Sequence, residues 1–326
     1  MTALESPISV RVPGRVNLIG DHTDYTGGLV LPMVVDLHTS ISGTFTDQNL
    51  WILESDTHGG ARIPLDAPSA KEIDPPWARY PAGVLFELRS LGIELRGFSG
   101  SVESTLPIGS GLSSSAALEV ATARIVLGRD PQLARFDDVD VAQICRRAEH
   151  SATGVPCGIM DQLSIVSGRP GSATLIDCST LRVEHIRVPE VVEIEHRFIV
   201  SRTLVGSEYA DRVEQCLQIE GIIGPLRHAS IVDTERLPTD LLRRRARHVI
   251  SENGRVEKFA RALQESDLPT AGRLMTESHT SLAQNFDTST PLMDAAVESA
   301  LREPGVLGAR MTGGGFGGCI VILRYR

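Results

Sequence analysis

Leu106-Pro107-Ile108-Gly109-Ser110-Gly111-Leu112-Ser113-Ser114-Ser115-Ala116-Ala117 decides how this 326-residue chain is read, because a glycine- and serine-rich loop runs straight into a helix. Glycines let the backbone approach a polyphosphate, the open N–H groups of the first helical turn point at it, and the helix dipole favours its negative charge. Serine hydroxyls add donors and an oxygen ligand for Mg2+. Ala116 to Leu127 are good helix formers with apolar residues at helical spacing, and Gly128 is placed to cap the helix end. No lysine lies near, the chain's lysines being Lys71 and Lys258, so this is not the phosphate loop that ends Gly-Lys-Ser/Thr. Alone, such a loop reads more readily as a flexible linker before a buried helix. Two further segments overturn that reading.

Working outward, Pro13-Gly14-Arg15-Val16-Asn17-Leu18-Ile19-Gly20-Asp21-His22-Thr23-Asp24-Tyr25-Thr26-Gly27-Gly28-Leu29-Val30-Leu31-Pro32-Met33 packs an arginine, two carboxylates and a histidine between two strand-like runs. Carboxylates and a neutral imidazole accept hydrogen bonds from several hydroxyls at once, which suits a polyol or sugar. The competing reading is an Asx-type turn in which Asp and Thr side chains cap their own backbone, and the two are compatible. In Glu149-His150-Ser151-Ala152-Thr153-Gly154-Val155-Pro156-Cys157-Gly158-Ile159-Met160-Asp161-Gln162, a glutamate ends a helical stretch and an aspartate opens the next segment. Taken alone, Asp161 reads better as a helix cap than as a catalytic carboxylate. Met311-Thr312-Gly313-Gly314-Gly315-Phe316-Gly317-Gly318-Cys319 is a glycine-dense turn entering a final strand, fitted for close backbone packing.

Together these blocks resemble the galactokinase branch of the GHMP sugar and small-molecule kinases. Arg15 to Tyr25 is similar to the galactokinase signature, Pro107 to Ala117 to the family's ATP-phosphate loop, Pro156 to Gln162 to the segment bearing its catalytic aspartate, and Arg310 to Gly318 to its third motif. Gly206-Ser207-Glu208-Tyr209, Trp77-Ala78-Arg79-Tyr80, Arg243 to Ser251 and Glu277 to Leu282 extend the likeness over nearly the whole chain. The resemblance implies that Asp161 accepts or polarises the proton of the sugar's anomeric hydroxyl, with Arg15 as the cation beside it. It leaves open whether Asp161 removes the proton or Arg15 chiefly lowers the hydroxyl's pKa. By the same likeness Asp21, His22 and Asp24 hold sugar hydroxyls, with Gly158 and Tyr209 closing the site. Trp77 and Tyr80 lie on the adenine side of ATP, although Trp77 reads equally as core. Pro107, Gly109, Ser110, Gly111, Leu112, Ser113, Ser114 and Ser115 hold its phosphates, and Ser115 and Glu149 bind Mg2+, a hard cation that takes oxygen ligands.

One departure bears on the substrate. The family reads Gly-Glu-His-Thr-Asp-Tyr where this chain has Gly20-Asp21-His22-Thr23-Asp24-Tyr25, so a carboxylate that faces the C6 end of the sugar in the family is one methylene shorter here. That either weakens a bond to a C6 hydroxyl or leaves room for something larger, and galactose and a C6-modified or longer aldose both stay open. Ser201 to Gly206 also looks shorter than its family counterpart. A rival of another class is a galactokinase-like sensor that binds sugar and ATP and signals to a partner protein. Kinases for homoserine or mevalonate share the phosphate loop but lack the Asp21 to Tyr25 cluster.

Composition sets the frame. With 41% hydrophobic residues the chain can bury a large core in two lobes, placed at 1–183 and 184–326. Cys145, Cys157, Cys178, Cys216 and Cys319 are an odd set without metal-ligand pairs, and Met1 to Pro7 does not read as a signal peptide, which fits a cytoplasmic enzyme. No apolar run approaches membrane-spanning length. A net charge of -9 argues against nucleic acid as a partner, and Leu242 to His248, the basic exception, reads as a solvated or salt-bridged helix face. Oligomeric state stays open between monomer and dimer.

Strand-like runs at Ile8 to Val12, Leu29 to Val35, 175–177, 198–200 and Cys319 to Leu323, with helices after Ser115, at Arg255 to Gln264 and at Leu292 to Leu301, lack regular alternation and so favour α+β. The resemblance implies the same class, as a two-lobed GHMP kinase fold with an N-terminal lobe like ribosomal protein S5 domain 2 and a C-terminal ferredoxin-like lobe.

Overall fold

The computed structural model describes residues 6–129, 131–201 and 208–326, with the side chain of residue 132 left aside; the expectations placed on Gly206, Ser207 and the segment leading to Gly206 lie outside the described residues. The α+β class holds, with sheets and helices in separate runs. Two compact units emerge, one of residues 1–14, 35–107 and 113–166, the other of residues 15–34, 108–112 and 167–326; the cuts fall inside the strands Ile8–Asn17 and Pro32–Thr46.

In the first unit, Leu50–Ser55 pairs antiparallel with Gly59–Pro64 and parallel with Gly97–Ser104, which pairs antiparallel with residues 39–46. Alternating residues of these strands turn Trp51, Leu53, Ile63, Phe98 and Val102 inward, and the Trp51 and Phe98 rings lie 4.7 Å apart. Ser114–Gly128 is apolar almost all round, and its run Ala116–Ala123 is buried without a break, as a central helix requires. Gly128 is its last helical residue and is followed by Arg129 with right-handed helical backbone, so the expected left-handed glycine cap does not form. Asp138–Thr153 opens with a capping box, Asp137 and Asp140 each accepting the other's backbone N–H, and ends on left-handed Gly154. This helix meets Arg79–Ser90 so closely that a Cβ on Gly83 would stand 2.7 Å from the Ala148 carbonyl oxygen.

In the second unit, Gly318–Tyr325 runs between Val306–Met311 and Val192–Val200 in an antiparallel sheet, and Ser172–Asp177 pairs with Arg182–Arg187 and with Leu29–Val30. The expected single strand Leu29 to Val35 is two pieces, Leu29–Val30 and Pro32–Thr46, because the proline's missing N–H makes it a strand start. The helix expected from Arg255 begins at Asp240 and runs to Gln264. The basic stretch therefore lies on that helix, and its spacing divides it: Arg247 is exposed, whereas Arg245 and His248 face inward. Arg245 bonds the Asn285 carbonyl at 2.6 Å and Asp287 at 2.8 Å, so the run combines a solvated Arg247 and a salt-bridged Arg245, the two forms expected of it, with an inward His248. Cys216, Ile219, Val249, Phe286, Met293, Met311, Ile320 and Ile322 form the core. Among the described residues no helix is long and apolar enough to cross a membrane.

Candidate active site

The loop after Pro107 has the backbone its glycines permit. Gly109, Gly111 and Ser113 all hold positive φ (67°, 81° and 61°), a backbone that the two glycines adopt without strain. Arg15 braces this loop, its own N–H donating to the Leu112 carbonyl at 3.1 Å and its guanidinium to the Gly111 carbonyl at 2.6 Å. Ser110 supplies a further brace, its hydroxyl accepting the Leu112 N–H. Ser113 occupies the N-cap position of the helix Ser114–Gly128 but makes no capping bond. Its hydroxyl donates instead to Asp161 Oδ2 at 2.5 Å. A helix start with no side-chain cap and no acidic residue in its first turn is suited to an external anion.

Asp161 sits in the first turn of Met160–Ser167 rather than in front of it, so it is not the cap that its isolated sequence suggests. In the same unit Ser115 Oγ donates to Glu149 Oε1 at 3.2 Å, and Gln162 Nε2 donates to Glu149 Oε2 at 2.7 Å and to Glu119 Oε2 at 3.0 Å. Burial first, and then the neighbouring carboxylates, push both Glu119 and Glu149 up; the influences that pull them down are neutral hydrogen-bond donors rather than cations. Ser115 and Glu149 thus place two oxygens side by side where positive charge is wanted, which suits Mg2+. Among the described residues no group of three or more His, Cys, Asp or Glu is placed to hold a metal ion. A two-oxygen set still fits Mg2+, which keeps several waters and takes phosphate oxygens.

Tyr80 opens the helix Arg79–Ser90 half-buried, and burial followed by the charges of Glu149 and Glu119 keeps its phenol protonated. Trp77 is half-buried too, so it is not the core tryptophan; Trp51 is. Gly158 is buried. The Cys157 thiol beside it is pushed well up by burial and by Glu149, the opposite of an activated nucleophile.

In the second unit the turn from Gly20 to Leu29 divides its work by residue type. Thr23 Oγ1 bonds the Gly20 and Leu29 carbonyls, and Thr26 Oγ1 bonds the Thr23 carbonyl, so the threonines are the turn's own fasteners. Asp21 is 1% exposed: Oδ1 accepts the Gly313 N–H at 2.9 Å and Oδ2 pairs with the fully buried Arg310. His22 is buried at left-handed φ, bonded through Nδ1 to the Tyr25 hydroxyl at 3.0 Å and packed on Phe286 and Tyr209 at ring separations of 4.7 and 5.5 Å. Asp24, half-buried, opens the 3-10 turn Asp24–Thr26, and Tyr209 opens the helix Tyr209–Ile223.

Sequence reasoning passed over Arg310, Glu119, Gln162 and the buried stripe of the long helix. Glu252 on that stripe accepts from the Gly20 N–H, from Ser278 and from Arg255. Burial alone would raise its carboxyl, but Arg255, His248 and Arg310 outweigh that and hold it at about 2. Glu119 did carry a signal, a carboxylate in the otherwise uncharged run Ala116 to Ala123.

Three family models match in chain order: the galactokinase galactose-binding signature over residues 3–44, the GHMP kinase N-terminal domain over 79–169 and the GHMP kinase C-terminal domain over 259–324. Galactokinase of Homo sapiens is 41% identical, over 98% of this chain and 84% of that protein, and galactokinase of Thermococcus kodakarensis is 38% identical over 95% and 87%. The crystal structure of Lactococcus lactis galactokinase complexed with galactose superposes with a TM-score of 0.91 at 30% identity, covering 99% of this chain and 86% of that one. Methanococcus jannaschii mevalonate kinase, at 22% identity and a TM-score of 0.71 over 98% and 91% of the two chains, shares the fold. The chain belongs to the GHMP kinases, in their galactokinase branch.

Proposed function

We propose that the chain transfers the γ-phosphoryl group of ATP to the C1 hydroxyl of an aldose of the galactose class, with a C6 end that accepts a larger substituent. The observation that carries the reading is the 2.5 Å bond from Ser113 to Asp161, which fixes a carboxylate at the end of an anion-binding loop. There Asp161 accepts the proton of the C1 hydroxyl as its oxygen attacks phosphorus and ADP leaves. Arg15, locked on the loop carbonyl of Gly111, offsets charge developing on the transferred group. The loop from Gly109 to Ser115 holds phosphate oxygens through its N–H groups, Leu112 excepted because its N–H is given to Ser110, and Trp77 and Tyr80 flank the adenine. Ser115 and Glu149 would hold Mg2+, which when bound neutralises phosphate charge. Asp24 and Tyr209 hold sugar hydroxyls, and Gly158 leaves the sugar room. Asp21 shapes the turn, because both of its oxygens are engaged within the protein, while His22, held through Nδ1 by the Tyr25 hydroxyl, joins Asp24 and Tyr209 in holding sugar hydroxyls. The engagement of both Asp21 oxygens supports a tolerant C6 end, since a carboxylate drawn toward Arg310 leaves a C6 hydroxyl a weaker partner and so a less strongly required one.

The test is ADP release with Mg2+, ATP and a panel of galactose, its C2 and C4 variants and C6-modified or longer aldoses. Turnover is expected with Asp161→Asn reducing kcat by about 10²-fold or more. Equal or better turnover of plain galactose than of every C6-altered sugar would remove the C6 reading and leave a galactokinase, whereas sugar binding without any turnover would overturn the kinase reading.

A further inference from the structure

Glu119 is fully buried on the helix Ser114–Gly128, one turn beyond Ser115, and no step above uses it. Isolated carboxylates are rarely kept inside an apolar helix without a reason, because burying their charge is costly. Its hydrogen-bond partner is Gln162, also fully buried and next to Asp161 in the chain. Gln162 has one amide nitrogen with two hydrogens, and it spends one on Glu119 and the other on Glu149. Glu149 is thereby held at both oxygens, by Ser115 on one and Gln162 on the other. Two acceptors of the same acid and amide, Glu119 Oε1 and Gln162 Oε1, have no donor. A proton on Glu119 Oε1 directed at Gln162 Oε1 would satisfy both and close a cyclic acid–amide pair, which fixes the plane of the amide.

We propose that Glu119 and Gln162 are positioning residues: Glu119 locks the Gln162 amide, and Gln162 aims Glu149 at the cation that Glu149 shares with Ser115. The inference rests on the assignment of Ser115 and Glu149 to Mg2+. It extends to a metal site the general behaviour of outer partners, which orient a ligand without touching the ion. Neither residue is a catalytic residue, since both act through Glu149.

The test is titration of Mn2+, followed by its electron paramagnetic resonance signal, into the full chain saturated with ADP. Gln162→Met keeps the volume and removes the donor. It is expected to weaken Mn2+ binding by about 10- to 100-fold and to raise the KM for Mg2+·ATP while the sugar KM stays within about twofold. Glu119→Ala is expected to do the same, and Glu119→Gln to restore binding to within about threefold, because an amide offers Gln162 the same donor and acceptor pair. If Gln162→Met fails to fold, Gln162→Asn, polar but too short to span both carboxylates, takes its place. Mn2+ affinity unchanged in these Gln162 variants but lost in Glu149→Gln would overturn the positioning role alone, as would a fall in melting temperature with no change in Mn2+ affinity. Affinity unchanged even in Glu149→Gln would overturn the metal assignment and the inference together.

Discussion

Glu149 in the first unit and Asp21 in the second are both carboxylates held by two donors inside the protein, and their surroundings are opposite. Asp21 faces the guanidinium of Arg310, and its neighbour Glu252 faces Arg255; charge is balanced within the fold. Glu149 meets a serine hydroxyl and an amide, both neutral donors, and the charge it would carry is left for something from outside. A balanced pair holds a turn in place. An unbalanced carboxylate suits a cation from outside.

The largest effect should come from unbalancing the balanced side. Arg310→Met leaves Asp21 buried without its cation and is expected to cost about 3–5 kcal/mol of stability, read as a fall in the urea midpoint. A loss below about 1 kcal/mol would show that the pair contributes little and that the contrast is overdrawn.

Acid should come next, and it separates the two sides by sign. Burial chiefly, with Arg255 and Arg310 adding to it, lowers His248 to about 4 against its ordinary 6.5. The unfolded chain therefore binds more protons across that window, so stability falls as pH drops from 6.5 to 4, by about 3 kcal/mol from this residue. Burial lowers His279 to about 4 as well, which acts in the same direction, and Glu252 extends the loss from 4.5 down toward 2. Glu119 and Glu149, raised by burial and by neighbouring carboxylates, act the other way: their contribution is present in acid and is lost as pH rises above 4.5. Urea unfolding at pH 7, 5.5 and 4 reads the sum, and His248→Gln should flatten its slope between pH 6.5 and 4.

The smallest change in stability is expected from Glu149→Gln. Removing an unbalanced charge offsets the weaker hydrogen bonds of an amide, so stability should stay within about 1 kcal/mol even as phosphoryl transfer is lost. Destabilisation as large as that of Arg310→Met would show that Glu149 is balanced after all.

How much of this was legible in the sequence depended on distance along the chain. The helix from the phosphate loop, the final strand and the α+β class could be read because helix formers, glycines and β-branched runs act locally. The roles of Ser115, Glu149 and Asp161 were legible through the family resemblance rather than locally, since Asp161 alone reads as a helix cap and Glu149 as the end of a helical stretch. Their partners were not. Arg310 lies 289 residues from Asp21, and Glu119 lies 43 from Gln162, separations that no periodicity encodes. His22 reads only as a holder of sugar hydroxyls until the fold brings Phe286 against it. The start of the long helix was hidden by arginines, whose long side chains suit solvent and interior alike.

Gly83 carries a last consequence. Its missing side chain lets the helix bearing Tyr80 lie directly on the backbone of the helix bearing Glu149. A single hydrogen atom is the spacer between them, so any other residue at this position would wedge the two apart. An exchange of Tyr80 or Glu149 for another side chain therefore leaves the distance between the two helix backbones as Gly83 sets it.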